Sequence, residues 1–137
     1  MSQIVLPERP GCPLCDVVAG GREVVAANDV AVVFADAYPV SDIAHWLVVT
    51  SDHVGNLFDL PDDQLSAYWD LVSTAGRLLI VRHPAATGVN VGANVGAHAG
   101  MTIPHVHTHL IARSEGDTAD AKGGVRWVVP ERRDYWS

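Results

Sequence analysis

The sequence predicts an α+β domain: a sheet of about five antiparallel strands, one long helix packed on it, and a short helical turn near the N-terminus. Three observations carry this prediction. Short β-branched runs separated by turn residues fill residues 23–50 and 89–113. One helical periodicity, bracketed by Pro61 and Pro84, stands between them. The chain has 137 residues, 48% hydrophobic and 18% charged, which suits one domain with one buried core.

The elements follow in order. Cys12-Pro13-Leu14-Cys15 leads into Asp16-Val17-Val18-Ala19, a helical turn stopped by Gly20-Gly21. Residues 23–27 and 30–34 are β-branched and apolar, and Asn28-Asp29 between them signals a hairpin. Tyr38-Pro39-Val40-Ser41-Asp42 breaks the pattern as a loop, and residues 45–50 form the next strand. The long helix is predicted over 61–82. Asp62 and Asp63 suit its positive end, Arg77 and Arg82 its negative end, and Pro84 forbids continuation. Leu65, Tyr68, Trp69, Val72 and Leu79 recur at helical spacing as one apolar stripe for core or dimer packing. Residues 89–95 read as a strand, Gly96-Ala97-His98-Ala99-Gly100 as a flexible loop, and 103–113 as the last strand. Residues 114–124 read as a polar loop, and the aromatic tail with Trp127, Tyr135 and Trp136 is expected to dock on something.

Charge and composition exclude several function classes. The net charge is −7 and there is a single lysine, Lys122, so the basic patch of a nucleic-acid polymer binder is missing. An acidic protein can still hold one phosphate through local dipoles and a few cations. No apolar run approaches the ~20 residues of a membrane-spanning helix. Residues 1–11 show no basic and apolar secretory pattern, so a cytoplasmic address is the default expectation.

Seven histidines is a high count, and three fall in His105-Val106-His107-Thr108-His109. On a strand, alternation places these three on one face, about 7 Å apart, with Val106, Thr108 and Leu110 turned to the core. The bland reading is three solvated surface histidines. Two functional readings compete with it. His-x-His could chelate a catalytic zinc with a third histidine, leaving a position open to activate water. Alternatively a neutral histidine is itself the nucleophile toward phosphorus. The glycine-rich stretch from Asn94 to Thr102 leads straight into this strand, and such loops let backbone amides approach a phosphate closely.

At this point the chain resembles the histidine-triad (HIT) superfamily of nucleotide hydrolases and transferases, whose signature alternates three histidines with apolar residues. His105 to Ile111 fits it, with Thr108 at an apolar position. Asn94, Gly100, Thr102 and His105 stand at the spacing of the family's Asn, Gly, Ser/Thr and first triad histidine. Val32-Val33-Phe34-Ala35-Asp36 resembles the strand whose acidic residue holds the ribose, and Ala44-His45-Trp46-Leu47-Val48-Val49 the strand whose histidine lines the site. The resemblance covers about residues 12–113 of a single domain spanning 1–137, with 114–137 as a tail like those of bacterial members. Met101 stands where many members carry Gln, and cannot hydrogen-bond a phosphate or leaving group as Gln does.

The resemblance implies an HIT-like fold whose sheet continues across a homodimer. It implies attack by His107 on the α-phosphorus of a small nucleotide, a covalent nucleotidyl-histidine, and release by water or another acceptor. His109 and His105 complete the catalytic set. Asp36, His45, Asn94, Gly100 and Thr102 are the expected substrate contacts. No organic cofactor and no magnesium are implied. It also implies a structural zinc on Cys12, Cys15, His53 and His105, the C-x-x-C read otherwise being two buried thiols or a redox pair. His98 reads as a solvated loop histidine, His83 as a dipole-compensating helix end, and Arg113 as a surface residue ending a strand. Two other functions stay open: a nucleotide- or partner-binding module with little turnover, and the His-x-His catalytic zinc hydrolase.

Overall fold

The computed structural model describes residues 11–137. The segment read for a secretory pattern therefore lies, but for Gly11, outside the described residues. A short helix α1 (Pro13–Asp16) runs into a wider turn over Val17–Gly21. Five strands follow: β1 (Ala26–Ala27), β2 (Ala31–Ala35), β3 (His45–Thr50), β4 (Gly88–Gly92) and β5 (His107–Arg113). Helix α2 (Asp62–Arg82) separates β3 from β4. The sheet order is β1-β2-β3-β5-β4, and every pair is antiparallel.

Local chemistry explains the boundaries. Asn28 makes the hairpin turn, its Oδ1 accepting the amides of Val30 and Ala31 at 3.0 Å each. Its Nδ2 donates to the Ala67 carbonyl and ties the turn to α2. Pro61 caps α2 and the acidic pair 62–63 opens it, as expected. Alternation along the central strand β3 divides the core. Trp46, Val48, Ala31, Val33, Leu110 and Ala112 pack with α2 through Tyr68, Leu71, Val72, Ala75 and Leu79. Leu47, Val49 and Phe34 point the other way and pack with Cys12, Leu14 and Cys15 of the N-terminal turn. The sheet is therefore covered by α2 on one face and partly by α1 on the other. Beyond α1, that second face carries the half-buried His107 and His109 and the buried His45.

Four expectations change. The last strand begins at His107, not at residue 103, because Pro104 has no amide to join a ladder. His105 thus precedes the strand and is wholly buried, so the three histidines do not line one open face. The strand expected over 89–95 ends at Gly92, and Asn94 beyond it lies against Gly100. Trp69 does not share the buried stripe of α2; it is 40% exposed, while Tyr68 is fully buried.

Tyr68 also explains Thr108. The Tyr68 hydroxyl donates to the Val48 carbonyl at 2.9 Å and lies 2.6 Å from Thr108 Oγ1. A polar residue at an apolar position of the histidine pattern is thereby satisfied inside the core, a pairing worth about 1 kcal/mol per bond. The tail folds on itself in two short turns, Gly124–Val128 and Pro130–Arg132. The Arg133 guanidinium lies 3.9 Å over the Trp127 ring, and Lys122 lies 4.5 Å over Trp136. Its turn at Gly124 abuts Asn90 of β4. No helix among the described residues is long and apolar enough to cross a membrane.

Candidate active site and metal centre

Two side-chain clusters flank the start of β5. The first is Cys12, Cys15, His53 and His105, all buried, with ligand atoms within 4.8 Å of one another. Both cysteines are buried. The cluster draws on three parts of the chain: the N-terminal turn, the loop after β3, and the residue after Pro104. His105 Nε2 lies 2.8 Å from the Thr50 carbonyl, which can only accept, so Nε2 carries the hydrogen. Its Nδ1 is then a bare lone pair, facing the sulfurs of Cys12 at 3.6 Å and Cys15 at 3.5 Å. His53 Nδ1 lies 3.2 Å from the Cys15 sulfur. A tetrahedral zinc with ordinary Zn–S and Zn–N bonds sets sulfur and nitrogen about 3.5 Å apart. The donor set, the tautomer and the spacing all fit zinc. Burial pushes the His105 imidazole below its usual range, offset in part by the Thr50 carbonyl. The neutral form favoured by burial is the one a metal needs.

The second cluster is Asp36, His45, His107 and His109 on the open face. His107 Nδ1 lies 2.7 Å from the His105 carbonyl and therefore donates to it. In the neutral ring, that donation leaves the Nε2 lone pair of His107 bare. His45 and His109 are held differently. The Val40 amide donates to His45 Nδ1 at 3.1 Å, so His45 Nε2 carries the hydrogen. That nitrogen lies 2.9 Å from His109 Nδ1. His109 accepts there and must carry its own hydrogen on Nε2. Burial, foremost, pushes both His45 and His109 below the ordinary histidine range, and Asp36 partly counters it. The rings of His107 and His109 stand 5.3 Å apart, their planes inclined at 66°. One half-buried imidazole thus offers a lone pair and its neighbour a neutral N–H.

Asp36, His45 and His109 also lie close enough together to suggest a metal site. The hydrogen bonds oppose that reading. A metal on His45 Nε2 would displace the hydrogen that the Val40 amide keeps there. The remaining expected contacts surround this face less tightly. Asn94 lies against Gly100, whose φ of 102° requires glycine. Thr102 and His98 are exposed on the loop, and Met101 is half-buried. Arg113 is withdrawn: it donates to Asp117 at 2.7 Å and to Asn90 at 2.6 Å. His83 caps α2 and meets Trp46 edge-on. A cavity of about 600 Å³ lies beside Trp46 and His83, and none of His45, His107 and His109 lines it. Sequence reasoning missed the Val40 amide, because a backbone donor leaves no trace in residue type.

Fold and site together define a small α+β protein in which a buried Cys2His2 set able to hold a metal abuts a face carrying three imidazoles. The family model for the HIT domain matches residues 21–116, and the chain belongs to the HIT family. A HIT-like protein of Mycoplasma pneumoniae, uncharacterized, is 32% identical over 106 residues, covering 76% of this chain and 72% of the relative. The adenosine 5'-monophosphoramidase of Candida albicans is 33% identical over 106 residues, covering 74% and 66%. Among solved structures, SMU.412c from Streptococcus mutans superposes with a TM-score of 0.71 at 27% identity, covering 82% of this chain and 71% of that one.

Proposed function

We propose that this protein is a nucleotide phosphohydrolase or nucleotidyl transferase acting at the α-phosphate of a small nucleotide through a covalent nucleotidyl-histidine. One observation carries the reading. The His107 Nδ1–H bond to the His105 carbonyl leaves Nε2 bare on an open face, and an unprotonated ring nitrogen is what in-line attack on phosphorus needs. His107 Nε2 forms the bond to phosphorus while the leaving group departs with its electron pair. Water then attacks, the bond to His107 breaks, and the nucleoside monophosphate leaves. The neutral Nε2–H of His109 faces the negative charge that develops on phosphate oxygens, joined by amides of the 96–102 loop. The monophosphoramidase relative has a name consistent with this chemistry. Zinc, when bound to Cys12, Cys15, His53 and His105, would pin the N-terminal turn to the segment entering β5. The two-histidine zinc hydrolase finds less support, because His105 faces the thiols and the His109 Nδ1 lone pair is taken by His45.

A panel of adenosine and guanosine phosphoramidates and dinucleoside polyphosphates, followed by product analysis, tests the reading. Nucleoside monophosphate is the expected product. Tight binding of the whole panel without any product would favour a binding module instead.

The sheet also supports a homodimer. β4 is an edge strand without proline, Val91 on it is 45% exposed, and α2 exposes Trp69, Ile80 and Val81. An apolar edge invites pairing with a second copy across a twofold axis. Sedimentation at micromolar concentration should return about twice 14.6 kDa. An active monomer throughout that range would mean that the tail beside Asn90 is enough to protect the edge.

A further inference from the structure

The cavity of about 600 Å³ beside Trp46 and His83 takes no part in the chemistry described above, and its volume is that of a small-molecule site. It lies where the end of α2 meets β2 and β3. Ala35 and Trp46, register partners on those strands, line it, as do Arg82 and His83 from the helix end. Trp46 packs toward α2, and His45, its neighbour along β3, points to the opposite face.

The polar wall of this cavity is unusual. Arg22 and Arg82 both line it, and neither pairs with a carboxylate among the described residues. Yet the chain carries sixteen Asp and Glu, and Arg113 and Arg133 are each held by an aspartate, at 2.7 and 2.8 Å. Glu23, the one acid of the wall, is exposed and joins neither guanidinium. Arg22 is half-buried and lies 5.9 Å over the Phe34 ring. Trp46 is only 5% exposed, but its indole N–H meets no acceptor among the described residues, and a buried indole N–H usually finds one. The His83 ring meets Trp46 edge-on at 6.0 Å and makes no hydrogen bond there either. An imidazole carries at least one N–H in either tautomer. Two cations and two unsatisfied donors thus surround one space, against a single exposed acid. Neighbouring guanidiniums repel, and donors without acceptors cost free energy. An anion rich in acceptor oxygens relieves both.

We infer that this cavity is a second ligand site, separate from the histidine face, and that it takes a small phosphate-bearing molecule. A phosphate group brings a charge of about −2 and three strong acceptor oxygens, where a carboxylate brings one charge and two oxygens. Guanidinium groups bind phosphate through paired, charge-assisted hydrogen bonds. Val25 and Ala35 supply an apolar wall for the remainder of the ligand.

NMR spectra of the His83 ring and the Trp46 indole N–H in the full chain read this site directly. Pyrophosphate and ribose 5-phosphate are the probes, and succinate is the dicarboxylate control. Both reporter signals should move saturably with phosphate, half-way below about 1 mM. Saturable movement with either probe upholds the site, the tighter one telling an inorganic ligand from an organic one. Succinate should need about tenfold more. Arg82→Gln, an exposed change that leaves the core intact, should weaken phosphate binding about tenfold, and Arg22→Gln with Arg82→Gln about a hundredfold. Phosphate on the histidine face is read separately at His107 and His109 and should survive both variants. Reporter signals that stay fixed up to about 10 mM phosphate, that move equally in Arg82→Gln, or that follow succinate as readily would each overturn the inference.

Discussion

Replacing His107 with Ala lowers turnover of the best nucleotide substrate by about three orders of magnitude or more, while nucleoside monophosphate still binds. The expectation follows from the division of labour on the open face. His107 is the ring whose Nε2 lone pair is left bare; the corresponding groups of His45 and His109 are a donated hydrogen and a presented N–H. Without His107, bond formation to phosphorus has no substitute within the cluster. Binding survives because the loop from Asn94 to Thr102 and the His109 N–H are intact. Steady-state kinetics beside equilibrium binding separates the two effects, since a lost nucleophile reduces kcat and leaves affinity. Near-parental turnover by His107→Ala would end the nucleophile assignment. The change removes a half-buried ring on an open face, so the fold should tolerate it, and a thermal melt of the variant checks this.

The second large effect concerns the buried Cys2His2 set. Protein prepared with zinc should carry one equivalent per chain, and Cys15→Ala should carry almost none. Loss of a structural zinc removes several kcal/mol of folding free energy, out of a total of about 5–15 kcal/mol for a domain. The destabilisation should be largest in the N-terminal turn. That turn meets the sheet through Cys12, Leu14 and Cys15 against Phe34, Leu47 and Val49. Metal analysis and chemical denaturation give the two readings. Below about a tenth of an equivalent, in protein made with zinc available, the metal assignment is lost, because a closed site of this kind binds tightly. Brief chelation separates a structural from a catalytic metal. Activity should outlast it while the fold persists, whereas a catalytic zinc would take activity with it. His105 links the clusters: its ring faces the thiols and its carbonyl holds His107, so prolonged metal loss should lower kcat as well as stability.

The particular residues show which parts of this were legible. The hairpin at Asn28, the helix between Pro61 and Pro84, and the pairing of Cys12 and Cys15 with His53 and His105 could be read in advance. The first two depend on interactions within a few residues, and the third on the resemblance. The start of β5 was misread because hydrophobic alternation continues through Pro104, although the missing amide was visible in the residue itself. Thr108 looked like a flaw in the pattern because its partner, the Tyr68 hydroxyl, lies 40 positions away.

By itself, the sequence determined the order of elements, the two faces of β3 and the stock of ligands and imidazoles, because periodicity, turn chemistry and donor type are properties of neighbouring residues. Only the tertiary structure decided how each histidine ring is held. A histidine's role depends on which ring nitrogen holds the hydrogen, and that depends on the single group about 3 Å away. For His105 that group is the Thr50 carbonyl, for His107 the His105 carbonyl, for His45 the Val40 amide. For His109 it is a ring 64 residues distant in the chain. Folding brings these partners into reach, and four similar side chains come to be held in four different ways.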